Sequence, residues 1–181
     1  MNASGTDVAV VGAGIAGLAV AAALHDRGVD AMLFEARERI GGRLVSSAPP
    51  GQRRLDLGAT WFWPSERRVR SLVDALGVAH FAEHPAGDAM YHVGGGAQRL
   101  EGNPLDTASH RFSDGADSLA LALADRLPTS AIALAAPVRR VKHDAERLVV
   151  VADRCTMRAT EVVIALPPAL AVSAIEFVPG L

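Results

Sequence analysis

Cysteine is almost absent. Cys155 stands alone among 181 residues, which excludes an internal disulfide framework or a cysteine-rich metal site and fits a reducing, cytoplasmic setting. Lysine is equally rare. Lys142 is the single Lys among 18 basic residues, the other Arg positions are scattered, and 20 acidic residues leave a net charge of -2. That balance supplies no field to hold a nucleic acid. Aromatics are few, at 2 Trp, 1 Tyr and 5 Phe, yet Trp61, Phe62 and Trp63 stand together where a generic core would spread them. No apolar run reaches the roughly 20 residues of a membrane span. The longest charge-free candidate, Val8 to Leu24, follows Asp7 without a Lys or Arg and is interrupted by Gly12, Gly14 and Gly17. It reads as a buried strand plus helix, not a signal peptide or a span.

What is present is a globular composition, 50% hydrophobic and 21% charged. A chain of this length buries roughly 70% of its unfolded surface, so a self-sufficient core is feasible. Asp7 to Val11 is a Val/Ala run ending at Gly12, as expected of a parallel strand covered on both faces. Gly14 to Arg27 reads as a helix stopped by Gly28, and Ala31 to Glu35 as a second apolar strand ending in a carboxylate. Strand, tight turn, helix and strand within 35 residues form a βαβ unit.

Residues 36–58, rich in Arg, Gly and Pro, are expected to be mostly loop. Pro64 and Ser65 open a helix in which Val69, Leu72, Val73 and Leu76 share one face and Gly77 closes the C-terminus. The stretch 87–115 gives only strand fragments and loop. A helix is expected over Asp117 to Leu127, stopped by Pro128. Val138 to His143 and Arg147 to Ala152 form a hairpin across Asp144-Ala145-Glu146, and Val162 to Leu166 is an interior parallel strand ending at Pro167-Pro168.

Three constellations carry chemistry. In Gly12-Ala13-Gly14-Ile15-Ala16-Gly17 the first glycine makes the tight turn, the second lets a pyrophosphate reach the backbone, and the third lets helix and strand pack closely. Glu35, at the end of the second strand, can accept both ribose hydroxyl hydrogens and would repel a 2′-phosphate, which argues against an NADP-type ligand. The second constellation, Glu35-Ala36-Arg37 to Gly41-Gly42-Arg43, exposes paired-glycine N–H groups and brings a fixed positive charge, a second approach to a pyrophosphate. The third is Asp56-Leu57-Gly58-Ala59-Thr60-Trp61-Phe62-Trp63, where small residues let a flat ring lie against the backbone and the aromatics could wall a water-poor pocket. His80 and His84 have no third partner nearby in sequence, so no metal site is expected.

Taken together, Val10 to Leu18, Glu35 to Arg43 and Asp56 to Trp61 resemble the amino-terminal half of the flavin-containing amine oxidase family. Ala136-Pro137-Val138 resembles its adenine-contacting strand, and Val162 to Pro168 the strand that returns to the flavin domain. The resemblance implies an α/β fold, a doubly wound parallel sheet of Rossmann-like type with a small β-meander and a reduced substrate-domain segment. It implies a discontinuous FAD-binding domain at 1–64 and 112–181, with the substrate-domain segment at 65–111. FAD is the implied cofactor, bound by Gly12, Gly14, Ile15, Ala16, Gly17, Glu35, Ala36, Arg37, Gly41, Gly42, Arg43, Gly58, Ala59, Thr60, Trp61 and Val138. The implied reaction oxidises the carbon next to the nitrogen of a small-molecule amine, with peroxide formed in the complete enzyme.

Family members continue beyond Leu181, and the segments that carry their catalytic lysine and aromatic cage lie in that second half. No catalytic residue is assigned in this chain. An incomplete FAD-binding portion that needs the carboxy-terminal half or a partner chain is therefore expected. The alternatives are a desaturase-like flavoprotein and a non-catalytic nucleotide-binding remnant.

Overall fold

A computed structural model describes residues 4–51, 54–104, 106–144 and 146–180. Its framework is one seven-stranded sheet of β1 (Ser4–Val11), β2 (Ala31–Phe34), β3 (Ile132–Ala133), β4 (Val138–Asp144), β5 (Arg147–Ala152), β6 (Thr156–Ile164) and β7 (Glu176–Val178). The spatial order is β3-β2-β1-β6-β5-β4-β7. β3, β2, β1 and β6 run parallel to their neighbours, β6-β5-β4 is an antiparallel meander, and β7 lies parallel to β4. This is the α/β, Rossmann-like sheet with a small meander that the sequence indicated.

β1 explains why both faces are apolar. Successive strand side chains point to opposite faces. Val8 and Val10 pack with Leu18, Leu33, Ala120 and Leu123, which include residues of α1 (Ile15–His25) and α3 (Asp117–Ala124). Ala9 and Val11 pack with Phe34, Val138, Val150 and Ala159. Helices therefore cover one face of the parallel strands and the meander covers the other. β6 is longer than the expected Val162 to Leu166. Its first half alternates buried Met157 and Ala159 with exposed Arg158 and Thr160 while pairing with both β1 and β5. A period-two stretch fused to a continuous apolar run hid a single strand. Ala145, in the expected hairpin turn, lies outside the described residues.

A second, smaller cluster holds the rest. Trp61–Phe62, His110–Phe112 and His80–Ala82 form a three-stranded sheet in that order. Phe62 and Phe112 pack with Val73 of α2 (Arg67–Leu76) and Leu119 of α3. Gly77 ends α2 in the left-handed conformation at φ 64°, as its position predicted. The His80–Ala82 strand was not expected, because three residues are too few to show a period. The hairpin Ala89–Val93 and Gly96–Leu100 leaves Met90, Tyr91 and Val93 exposed. No described helix is long and apolar enough to cross a membrane.

Candidate functional site

The carboxyl ends of β1 and β2 and the N-terminus of α1 converge on the glycine turn, the position where open α/β sheets carry ligands. Gly12 adopts φ +105°, and a side chain there would meet Leu166 and the Ala165 carbonyl. A Cβ at Gly17 would lie 1.9 Å from the Gly12 carbonyl oxygen, so the third glycine brings helix and strand into contact. Gly14 caps α1, and a Cβ there would meet nothing within 4 Å. The turn thus has open space in front of helix N–H groups that lack an intrahelical acceptor, an arrangement suited to an anion. Ile15 is half-buried and Ala16 exposed on the first turn of that helix.

Glu35 is buried at 8% exposure, and its carboxylate is already engaged. The Ala13 N–H donates to Oε2 at 2.8 Å and the Arg37 N–H to Oε1 at 3.0 Å. Both oxygens keep further lone pairs. The carboxylate therefore ties the glycine turn to the end of β2. Ala136 N–H donates to the Glu35 carbonyl and Ala135 N–H to the Arg37 carbonyl, each at 2.8 Å, which fixes the segment leading into β4 beside the same strand end. Val138, buried at 6%, pairs with Ala152 and packs with Phe34.

The paired-glycine loop joins the first turn directly. Gly41 N–H donates to the Ala13 carbonyl at 2.8 Å, and a Cβ on Gly42 would come within 3.1 Å of Gly14 Cα. Arg39 donates to the carbonyls of Ile40 and Gly42, each at 3.1 Å. Sequence reasoning missed this loop clamp, because only the fold shows which carbonyls a surface Arg reaches. Ala36, Arg37 and Arg43 are exposed. Among the described residues the Arg43 side chain has no ion pair, leaving a guanidinium available at the loop.

Gly58 and Ala59 are exposed and sit against Arg43. A Cβ at Gly58 would be 2.0 Å from the Arg43 carbonyl oxygen, and Ala59 N–H donates to that oxygen at 3.2 Å. Thr60 Oγ1 donates to the Gly58 carbonyl at 3.2 Å. The three constellations thus meet through Gly41-Gly42-Arg43, which contacts the first on one side and the third on the other. The aromatic triplet divides. Phe62 turns inward at 3% exposure, whereas Trp61 and Trp63 are 51% and 37% exposed. Asp56 is a buried anchor, accepting from Ser46 Oγ and Ala116 N–H, each at 2.7 Å.

A cavity of about 260 Å³ lies at the opposite, amino-terminal end of β1 and β2, lined by Thr6, Asp30 and Met32 among others. Its distance from the glycine turn separates it from the constellations described. No group of three potential metal-ligating side chains gathers among the described residues.

Two family profiles match the chain. One, described as an NAD(P)-binding Rossmann-like domain, matches residues 10–76, and the other, flavin containing amine oxidoreductase, matches residues 105–181. The flavin-containing amine oxidase B of Homo sapiens is 33% identical over 110 residues, 58% of this chain and 21% of that protein. Putrescine oxidase of Kocuria rosea is 39% identical over 85 residues, 47% of this chain and 18% of that protein. Among solved structures, a putrescine oxidase bound to putrescine superposes with a TM-score of 0.88 at 22% identity, covering 98% of this chain and 61% of that one. Cyclohexylamine oxidase from Brevibacterium oxydans gives 0.85, also at 22% identity, over 97% and 61%. The chain therefore spans a fraction of the length of each relative.

Proposed function

We propose that the chain belongs to the flavin-containing amine oxidoreductase family, whose profile matches residues 105–181, and is the dinucleotide-holding portion of an FAD-dependent amine oxidase acting on a small-molecule amine. The observation that carries the reading is the junction of Gly14, Gly42 and Arg43 at the N-terminus of α1 beside the Glu35 carboxylate. The residues present fit the cofactor at that end. Gly12, Gly14, Ile15, Ala16 and Gly17 form the pyrophosphate seat, Gly41 and Gly42 close it, and Arg43 supplies the opposing charge. Glu35 accepts the ribose hydroxyls with lone pairs that Ala13 and Arg37 leave open, and Ala36, Arg37 and Val138 border the adenine end. Gly58, Ala59, Thr60 and Trp61 form the shelf for the ring.

When bound, the flavin supplies the acceptor for a hydride equivalent from the carbon next to an amine nitrogen, with dioxygen reduced to hydrogen peroxide. The residues of this chain hold and orient. The division into 1–64 with 112–181 as the binding domain and 65–111 as a substrate-side segment belongs to the same proposal, with the small sheet around Phe62 as their shared border. On that substrate-side segment Phe81, Met90, Tyr91 and Val93 stand exposed. The free, exposed Cys155 supports a cytoplasmic setting.

Calorimetry tests the reading directly. FAD is expected to bind more tightly than NADP, and Glu35→Ala to weaken FAD binding. Tighter NADP binding would sink the proposal. These 181 residues alone, mixed with FAD and desalted, are expected to retain little flavin and to produce no amine-dependent peroxide, because a reacting carbon must be held within about 3 to 3.5 Å in a site closed to water.

A further inference from the structure

The cavity of about 260 Å³ at the amino-terminal end of β1 and β2 belongs to none of the constellations assigned to the dinucleotide. It is lined by early residues of three adjacent parallel strands, Thr6 of β1, Met32 of β2 and Met157 of β6. The last turns of α1 contribute Ala21 and His25, and the segment between α3 and β3 contributes residues 127–131 except 129. Thr6 and Gly12 lie six positions apart on one extended strand, about 20 Å at roughly 3.3 Å per residue. A molecule in this cavity therefore touches nothing at the glycine turn. The volume falls below the roughly 300 to 1,000 Å³ of a drug-sized site, so the cavity suits a compact molecule.

The chemistry of the lining selects among compact molecules. Most of it is apolar, and it contains no Lys or Arg. Asp30 is its one acidic residue, and the backbone there is firmly held. The Asp30 carbonyl accepts from Asp7 N–H and Val8 N–H, each at 3.1 Å, and from Thr6 Oγ1 at 2.9 Å, while its own N–H donates to Asp7 Oδ2 at 3.2 Å. The exposed Asp30 carboxylate, by contrast, takes part in no hydrogen bond or ion pair among the described residues. The nearby guanidinium groups are engaged elsewhere, Arg27 on the Ala23 carbonyl at 2.7 Å and Arg126 on Asp26 Oδ2 at 2.6 Å. Asp7 adds a second carboxylate beside Asp30, and α1 ends at His25, so the negative end of the helix lies on this side. An anion would meet uncompensated negative charge here. A cation with an apolar body meets a carboxylate and a greasy wall, and the Ser130 hydroxyl and the neutral form of His25 offer further acceptors.

We propose that this cavity is a second ligand site, independent of the dinucleotide seat, that takes a compact organic ammonium ion, with its apolar body against Ala21, Met32 and Leu127 and its charge at Asp30. The apolar lining supplies most of the affinity, since an exposed ion pair adds little. Asp30 supplies the preference for a cation.

Cumylammonium is a suitable probe, because the carbon next to its nitrogen carries no hydrogen and so cannot be oxidised as an amine substrate. Cumyl alcohol has the same shape without the charge, and the corresponding carboxylate reverses it. Titrations of the 181-residue chain followed by amide NMR are expected to shift Thr6, Asp30 and Ser130 saturably and to leave Gly14 and Gly42 unmoved. Cumylammonium should bind about fivefold more tightly than the alcohol, and the carboxylate should give no saturable shift. Asp30→Asn keeps the backbone bonds and should lower the ammonium affinity about fivefold, to that of the alcohol, with the alcohol unaffected. Ser130→Trp, at an exposed position of the lining, should fill the cavity and weaken both ligands about tenfold, and it serves as the second variant should Asp30→Asn fail to fold. Saturating FAD should leave the ammonium Kd unchanged. Equal affinities for ammonium and alcohol, an Asp30→Asn variant that binds the ammonium like the parent, or no saturable shift at Thr6, Asp30 and Ser130 up to roughly 10 mM cumylammonium would each overturn the proposal. None of these readouts depends on flavin binding, so the dinucleotide reading stands or falls separately.

Discussion

The three glycines of the first turn differ in what they do, and the difference is measurable. Gly17→Ala places a Cβ 1.9 Å from the Gly12 carbonyl oxygen, where both partners are backbone and no rotamer relieves the clash. A loss of about 3 kcal/mol or more is expected, seen as a large drop in melting temperature. Gly14→Ala meets nothing within 4 Å at φ −75°, so it should melt like the parent and yet, if the proposed pyrophosphate seat is right, bind FAD less well, because the Cβ fills the open space of that seat. The arginines also separate. Arg43→Ala is expected to weaken FAD binding by about 1.5 to 3 kcal/mol, the range for a hydrogen bond to a charged group. Arg39→Ala should follow, because it releases the carbonyls of Ile40 and Gly42, and Arg37→Ala should cost least. Equal losses at all three positions in calorimetry would mean that only general charge is sensed. From sequence alone, Arg37 and Arg39 look equally solvated; the carbonyl contacts that distinguish them depend on how the loop folds back.

At the scale of elements, Asp56 joins α3 to the two-residue strands Ser46–Ser47 and Leu55–Asp56, which pair antiparallel. Its Oδ1 accepts from Ser46 Oγ and from Ala116 N–H, and Ser46 Oγ in turn accepts from Asp117 N–H at 3.2 Å. α3 has no side-chain cap of its own, so its first N–H groups are satisfied by residues some 60 to 70 positions earlier in the chain. Gly115 permits the approach, since a Cβ there would lie 2.6 Å from Ser46 Oγ. Asp56→Ala would leave buried donors unsatisfied at about 1 to 3 kcal/mol each. The expected result is a protein destabilised by several kcal/mol in urea titration, with hydrogen exchange rising first at the start of α3. A preserved melting curve would show that water replaces the carboxylate without loss. The Asp-Leu-Gly-Ala-Thr stretch was legible as a motif, but its aspartate served packing between elements, a role that spacing along one segment does not reveal.

For the molecule as a whole, acid sensitivity follows from its surface pairs. Glu83 is held low by the Ser109 hydroxyl first, Asp88 by the Gly102 N–H and then Arg99, and Asp153 by hydrogen bonds from Arg139. A carboxyl group whose folded pKa is depressed stabilises above its unfolded value, and that contribution disappears as pH falls through the folded value. Melting temperature is therefore expected to hold near neutrality and to decline as pH drops through the carboxylate range, from about pH 5 downward. Asp153→Asn should make the decline shallower. Because these groups are solvent-exposed, high salt should shrink the effect. A melting temperature independent of pH between neutrality and pH 3 would contradict it.

The sequence by itself determined the βαβ unit, the glycine turn with Glu35 at the next strand end, the helix ends at Gly28 and Gly77, and the first two meander strands. Each is written in local terms: a two- or 3.6-residue period, a residue free to take positive φ, or a charge where an apolar run stops. Tertiary structure decided which parts of the chain meet. It brought Gly42 onto Gly14, Gly58 onto the Arg43 carbonyl, and Ala135-Ala136 onto the end of β2. It turned Phe62 inward and left Trp61 outward, and it linked Asp56, Arg111 and Glu83 across three segments. The physical reason is that the responsible contacts are backbone approaches and single hydrogen bonds between residues tens of positions apart. Such contacts impose no repeating pattern on the residues between them, so composition and periodicity carry no trace of the partner.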